Sequence, residues 1–232
     1  MDRTKAARTR LFEAEAWVFD LDNTLYPASS NLFQQVDRRM TLFIAEFLSL
    51  DSETAYKLQK TYFREHGTTM RGLMNVHGID PGPFLEFVHD LDLAPVAPDS
   101  ALDAALARLP GRKIVFTNGP TDHALRVMDR LAVRRHFEAV FDIVEADYVP
   151  KPEPRAYEAL VRRYGLNPTT TVMVEDLARN LAPAAAMGMT TVWVRSPLPG
   201  GTPDAGNDAQ VADHVIDDLS GWLGELTAAA SY

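Results

Sequence analysis

Residues 16–27 read Ala-Trp-Val-Phe-Asp-Leu-Asp-Asn-Thr-Leu-Tyr-Pro, an apolar run that stops at Asp20 and passes into polar residues. A run this short, apolar at every position, reads as a strand buried on both faces. Three more short, mostly apolar runs occupy 113–116, 171–174 and 190–194, each ending in polar residues. Helical spacing fills 121–131 and 154–164, and Gly165 supplies a stop after the second. Strands alternating with helices imply βαβ units, so the fold class is α/β, a Rossmann-like doubly wound parallel sheet. After a Gly-, Pro- and Asp-rich loop at 197–208, a short strand at 214–216 and a helix at 217–226 are expected to close the sheet edge.

The alternation fails just after the opening stretch. Leu32, Phe33, Val36, Met40, Phe43, Ile44, Phe47 and Leu48 recur at helical spacing, with Ser29 or Ser30 placed to cap the start. Helical stretches beginning near Ser52, Thr68 and Pro81 follow, punctuated by Gly67 and Gly78. Tyr26-Pro27 and Ala94-Pro95-Val96-Ala97-Pro98 bracket this block, because proline disfavours helix continuation. The expected organisation is a catalytic core of residues 1–27 and 98–232, with residues 28–97 inserted as an α-helical cap domain. Two hinges joining cap to core would let the cap open and close.

Bulk properties narrow the function. The 232 residues carry a formal net charge of −9, which argues against a nucleic acid polymer or an anionic membrane as partner. There is no cysteine, so thiolate chemistry and disulfides are excluded. The basic stretch 1–10 is not followed by an apolar run, and no stretch approaches the ~20 apolar residues of a membrane span. The expected setting is cytoplasmic, and nothing in the sequence sets an oligomeric state.

The chemistry concentrates where strands end, since open α/β sheets bind ligands at the carboxyl ends of their strands. Strand 16–19 runs into Asp20-Leu21-Asp22-Asn23-Thr24, strand 113–116 into Thr117-Asn118-Gly119, and strand 171–174 into Glu175-Asp176. Lys151 sits between Pro150 and Pro152 just before a helix. Asp20, Asp22, Glu175 and Asp176 would then gather four carboxylates against one lysine. Such a cluster does not stay ionised in a low-dielectric crevice without a cation. Hard oxygen ligands in small number suit Mg²⁺, which retains waters and accepts phosphate oxygens. A small phosphorylated substrate follows as the expected partner.

Taken in order, Asp20-x-Asp22-x-Thr24, Thr117, Lys151 and Glu175-Asp176 resemble the haloacid dehalogenase superfamily of aspartate-nucleophile phosphatases. The helical insertion after the first motif matches that superfamily's cap. The resemblance implies Asp20 as nucleophile, forming an aspartyl-phosphate, and Asp22 as general acid and then base. For that task Asp22 is expected to have a raised pKa. Thr117 and the Asn118 N–H would hold phosphate oxygens, and Lys151 would neutralise charge. Asp20, the Asp22 carbonyl and Asp176 would ligate Mg²⁺, with Glu175 doing so directly or through water. Asn180 is implied as a hydrogen-bonding support for this shell.

Within the superfamily the chain resembles the pyrimidine 5′-nucleotidase group, through residues 19–27, 62–73 and 187–194. That resemblance implies a nucleoside monophosphate such as UMP or CMP, with Asn23, Tyr26, Arg71 and Asn118 reaching ribose or base. Alternatives are a sugar-phosphate or phosphoglycolate phosphatase, a phosphomutase, and a non-catalytic binding module. His66 and His77 read as exposed or structural residues of the cap.

Overall fold

The computed structural model describes residues 11–195 and 212–228, so the basic stretch 1–10 and the loop 197–208 lie outside the described residues. Strand β1 (Ala16–Phe19) is buried throughout. Its side chains divide by parity: Trp17 and Phe19 enter one hydrophobic cluster, Ala16 and Val18 another. That two-sided burial is the physical content of an unbroken apolar run.

Five strands join it: β2 (Arg112–Phe116), β3 (Ala139–Phe141), β4 (Thr171–Glu175), β5 (Thr190–Val194) and β6 (His214–Ile216). All pair in parallel, in the order β3-β2-β1-β4-β5-β6. The expected doubly wound sheet is therefore present. β4 extends one residue beyond the apolar run, which puts Glu175 inside the strand. β3, of three residues, is too short for hydrophobic periodicity to reveal.

Helices cover both faces. On one face α5 (Ser100–Arg108), α6 (Thr121–Leu131) and α9 (Leu219–Ala228) pack Leu102, Leu106, Val127, Met128 and Leu223 against Trp17, Phe19 and Val174. On the other, α7 (Pro154–Tyr164) and α8 (Ala178–Ala186) pack Tyr157, Leu160, Leu181 and Ala184 against Val18, Ile114 and Met173. Burying each large apolar side chain contributes roughly 1.5–3 kcal/mol before entropic costs.

Between β1 and α5 run four helices: α1 (Leu32–Leu48), α2 (Ser52–His66), α3 (Thr69–His77) and α4 (Pro81–Val88). They share a cluster built from Ile44, Ala55, Tyr62, Met70, Leu73, Phe84, Leu85 and Val88, joined by Ile143. Asp51, Thr68 and Asp80 cap α2, α3 and α4 through their side chains. The start of α1 departs from expectation. Ser29 and Ser30 fall inside a 3₁₀ turn, Ala28–Ser30, and Asn31 precedes the helix with φ 56°. Asparagine tolerates this left-handed conformation, so the turn consumes the serines and leaves no side-chain cap.

The chain order reverses at β1, whose neighbours are β2 and β4. A crevice therefore opens beyond the carboxyl ends of these three strands. The register pairs Phe19 with Val174, so Asp20 and Glu175 follow at the same level on adjacent strands.

Candidate active site

Asp20 is the first residue past β1, and its N–H donates to the Val174 carbonyl at 2.9 Å. The chain then curls: the Leu25 N–H returns to the Leu21 carbonyl at 3.0 Å, and Asn23 takes φ 62°. This turn brings Thr24 back, and its hydroxyl donates to Asp20 Oδ2 at 2.9 Å. The other carboxylate oxygen, Oδ1, accepts from Lys151 Nζ at 2.6 Å. Both oxygens of Asp20 are thus held, and the residue is 6% exposed.

Lys151 arrives from the loop between β3 and α7. Its ammonium donates to Asp20, to Glu175 Oε2 at 2.7 Å and to the Phe116 carbonyl at 2.9 Å. Three donors meet three acceptors, which is what a buried ammonium requires. The loop is tied down twice. The Lys151 N–H donates to Asn118 Oδ1 at 2.8 Å, and Asn118 Nδ2 donates to the Lys151 carbonyl at 3.3 Å. Upstream, Asp147 and Tyr148 take successive left-handed conformations, φ 56° and 58°. Arg71 of α3 donates to the Tyr148 carbonyl at 2.9 Å and braces that strained turn.

Thr117 follows β2 and is buried. Its Oγ1 accepts from the Gly119 N–H at 3.0 Å, which leaves the hydroxyl proton to donate. At the end of β4, Glu175 Oε1 also accepts from the Leu177 N–H at 3.3 Å, and Trp193 of β5 donates to the Asp176 carbonyl at 2.8 Å. Carboxylate oxygens of Asp20, Glu175 and Asp176 lie within 4.8 Å of one another.

The electrostatics follow from that crowding. Burial first, then Glu175, pushes the Asp20 carboxyl up to about 7 despite Lys151. Burial, Glu175 and Asp20 push Asp176 well above the ordinary carboxylate range. The same two carboxylates outweigh desolvation at Lys151 and raise its pKa, so the ammonium stays charged. One lysine does not balance three clustered carboxylates. A hard divalent cation fits this donor set: it would lift the repulsion that burial and proximity impose.

Asp22 overturns the expectation of a raised pKa. Burial pushes it up, but His123 and Tyr26 prevail and hold the carboxyl down at about 2. Tyr26 donates to Asp22 Oδ1 at 2.6 Å, and His123 Nε2 meets the same oxygen at 2.9 Å. Three of the four proposed ligand contacts, Tyr26, Asn118 and Arg71, thus have partners within the protein, and Asn23 makes the turn. The Asn180 carbonyl accepts from the Tyr157 hydroxyl at 2.5 Å, while its Oδ1 is buried without a partner among the described residues. His77 lies against Tyr62 at 2.6 Å and His66 against Asn75 at 3.4 Å, both as packing residues of the insertion.

Sequence reading missed His123 and His89, whose rings lie 4.9 Å apart beside Asp22, and Arg179, whose guanidinium lies 4.6 Å over Phe63 of α2. The one signal for His123 was its place four residues after Gly119, in the first turn of the helix that follows the Thr117 motif.

A family model described as haloacid dehalogenase-like hydrolase matches residues 14–188. The chain belongs to the haloacid dehalogenase-like hydrolases. The resemblance carried by the strand-end motifs, to the phosphatases of this superfamily, is borne out. Relatives extend the comparison. Phosphate metabolism protein 8 of Saccharomyces cerevisiae is 27% identical over 191 residues, 75% of this chain and 60% of that protein. The chain therefore spans less than two thirds of the yeast relative. Glyceraldehyde 3-phosphate phosphatase of Methanopyrus kandleri is 30% identical over 88% of this chain and 93% of its own. A solved haloacid dehalogenase-family phosphatase from Thermococcus onnurineus superposes with TM-score 0.60 at 19% identity, covering 93% of this chain and 97% of that one. At that identity the likeness speaks for the fold alone. Among the described residues, no helix of this hydrolase is long and apolar enough to cross a membrane.

Proposed function

We propose that the chain is a Mg²⁺-dependent phosphomonoesterase that transfers phosphate to Asp20 and then to water. The observation that carries this is the arrangement around Asp20: a carboxylate gripped on one oxygen by Lys151 and on the other by Thr24, beside Glu175 and Asp176. In this reading Asp20, the Asp22 carbonyl and Asp176 hold the metal, with Glu175 acting mainly through Lys151. Bound there, Mg²⁺ would neutralise the carboxylates and draw charge from phosphate oxygens.

The chain's own residues do the rest. Asp20 attacks phosphorus while the P–O bond to the alcohol breaks. Asp22 passes a proton to the departing oxygen, then takes one from the water that attacks the aspartyl-phosphate. Asp22 is ionised in the ligand-free geometry, which suits the second, base half. An arriving phosphate dianion is a like charge and would drive its pKa upward, which suits the acid half. Thr117 and the Asn118 N–H hold the phosphoryl oxygens, and residues 28–97 act as a cap that shields the site from water. A second carboxylate at Asp22 serves a leaving alcohol and has no task with a leaving halide.

For the substrate, the motif resemblance favours pyrimidine nucleoside 5′-monophosphates, UMP or CMP, in a cytoplasmic setting. A second reading is a small sugar phosphate, favoured by full-length relatives named as glyceraldehyde 3-phosphate phosphatases. Phosphate release from UMP, CMP, AMP, glyceraldehyde 3-phosphate and phosphoglycolate, with Mg²⁺ or EDTA, tests both. A preference for UMP and CMP supports the first reading, and a preference for the triose supports the second. Absence of release from every member sinks the phosphatase proposal.

A further inference from the structure

Asp22 is held by groups that the reaction outlined above does not use. Tyr26 and His123 both direct a hydrogen bond at Oδ1, at 2.6 and 2.9 Å, and among the described residues no bond falls on Oδ2. Tyr26 is 2% exposed and His123 is fully buried, whereas the Asp22 side chain is 18% exposed. One carboxylate oxygen is therefore pinned inward and the other is left toward the crevice.

The histidine has its own support. Its ring packs 4.9 Å from that of His89, at the end of α4. His89 Nδ1 donates to the Leu85 carbonyl at 2.9 Å, and its own carbonyl accepts from Arg126 of α6 at 2.6 Å. Space is kept for both rings. A Cβ on Gly119 would stand 3.3 Å from His89 Nε2 and 3.4 Å from His123 Cδ2.

A packing role does not account for this histidine. Its Nδ1 is buried without a hydrogen-bond partner among the described residues, a penalty that leucine or phenylalanine in the same space would avoid. Since a carboxylate only accepts, the Nε2 proton faces Asp22.

We propose that His123, backed by His89 and paired with Tyr26, is a positioning residue that fixes the Asp22 carboxylate so that its outer oxygen exchanges protons with the leaving oxygen and then with water. This rests on the phosphomonoesterase reading of the same site. The proton on Asp22 goes to the leaving oxygen as that oxygen takes the P–O electron pair, and water returns a proton in the second step.

The test compares substrates that differ in their need for an acid. An aryl ester such as p-nitrophenyl phosphate leaves readily unprotonated, whereas an alkyl ester such as UMP or glyceraldehyde 3-phosphate does not. His123→Ala is expected to lower kcat on the alkyl ester by about 100-fold, the scale of general acid–base catalysis. The loss on the aryl ester should be smaller by at least about tenfold, with KM on both changed less than about threefold. His123→Gln, whose amide N–H can replace Nε2–H, should recover part of the alkyl-ester loss. Equal losses on both esters, no loss, or a change confined to KM would overturn the proposal. Should the alanine variant fail to melt cooperatively, the same ratio is read on His123→Gln and Tyr26→Phe, and an unchanged ratio in both overturns it. Wild-type protein that releases phosphate from neither ester would instead defeat the phosphomonoesterase reading itself.

Discussion

Lys151 Nζ and Asp20 Oδ1 are 2.6 Å apart in space and 131 residues apart in sequence. The ammonium also reaches Glu175, so one cation from a loop ties the ends of β1 and β4 together. Lys151 is 2% exposed, and removing its ammonium would strand the two carboxylates it pairs, a change that typically costs ~3–5 kcal/mol. The site is therefore also a structural joint.

Asp20→Asn should abolish phosphate release, by about 10³-fold or more, if Asp20 is the nucleophile. The fold should tolerate it. The change removes one of three crowded carboxylates and keeps an acceptor for Lys151. The expected melting temperature equals or exceeds that of the wild type, measured by thermal unfolding in EDTA.

Mg²⁺ should stabilise the wild-type protein by mass action, by roughly 2.7 kcal/mol at a hundredfold excess over its Kd. Asp176→Asn removes a carboxylate from the trio and should weaken that stabilisation at least tenfold in Mg²⁺ affinity. Melting curves across a Mg²⁺ titration check this without any turnover. Equal shifts in wild type and variant would remove Asp176 from the ligand set.

Gly72→Ala should destabilise the helical insertion. In an exposed helix interior the exchange gains about 1 kcal/mol. Here a new Cβ would overlap Tyr62 Cβ, and that atom cannot swing aside as a flexible chain end would. Overpacking costs about 1–3 kcal/mol and outweighs the propensity gain. Urea unfolding should show a lower midpoint, and an unchanged or higher one would mean that α2 and α3 move apart freely.

Asp103 accepts from His136 at 2.7 Å and from Arg135, and these partners hold its carboxyl below the ordinary value. A depressed folded pKa gives stability that is complete above the unfolded value of about 3.8 and lost as pH falls through the folded one. Asp103→Asn should therefore lower stability slightly at pH 7, and its melting temperature should converge on that of the wild type as the pH falls through the depressed folded pKa of Asp103. Parallel curves at all pH values would show that the pairing contributes nothing.

The sheet was legible because a strand covered on both faces must be apolar at every position. Residues 16–19 carry that mark in full and 171–174 and 190–194 carry it apart from Thr171, Thr190 and Thr191, while the three residues of β3 are too few to carry any. The insertion was legible for a similar reason, since α1 shows helical spacing over its whole length. Its cap was misread because a 3₁₀ turn and a left-handed Asn31 are local choices with no periodicity.

By itself the sequence determined which residues stand where strands end, and so which carboxylates, hydroxyls and amides face the crevice. Alternating strands and helices imply a parallel sheet, and Asp20, Thr117 and Glu175 need only their strand ends to be brought together. Tertiary structure alone decided the rest. His123 reaches Asp22 across 101 residues because α6 packs on the sheet and the end of α4 packs on α6. Nothing in a helix's own periodicity separates a histidine packed as filler from one aimed at a carboxylate. The depressed pKa of Asp22 has the same origin, because a pKa responds to the charges and dipoles within a few ångströms. Those neighbours exist only once distant segments have met.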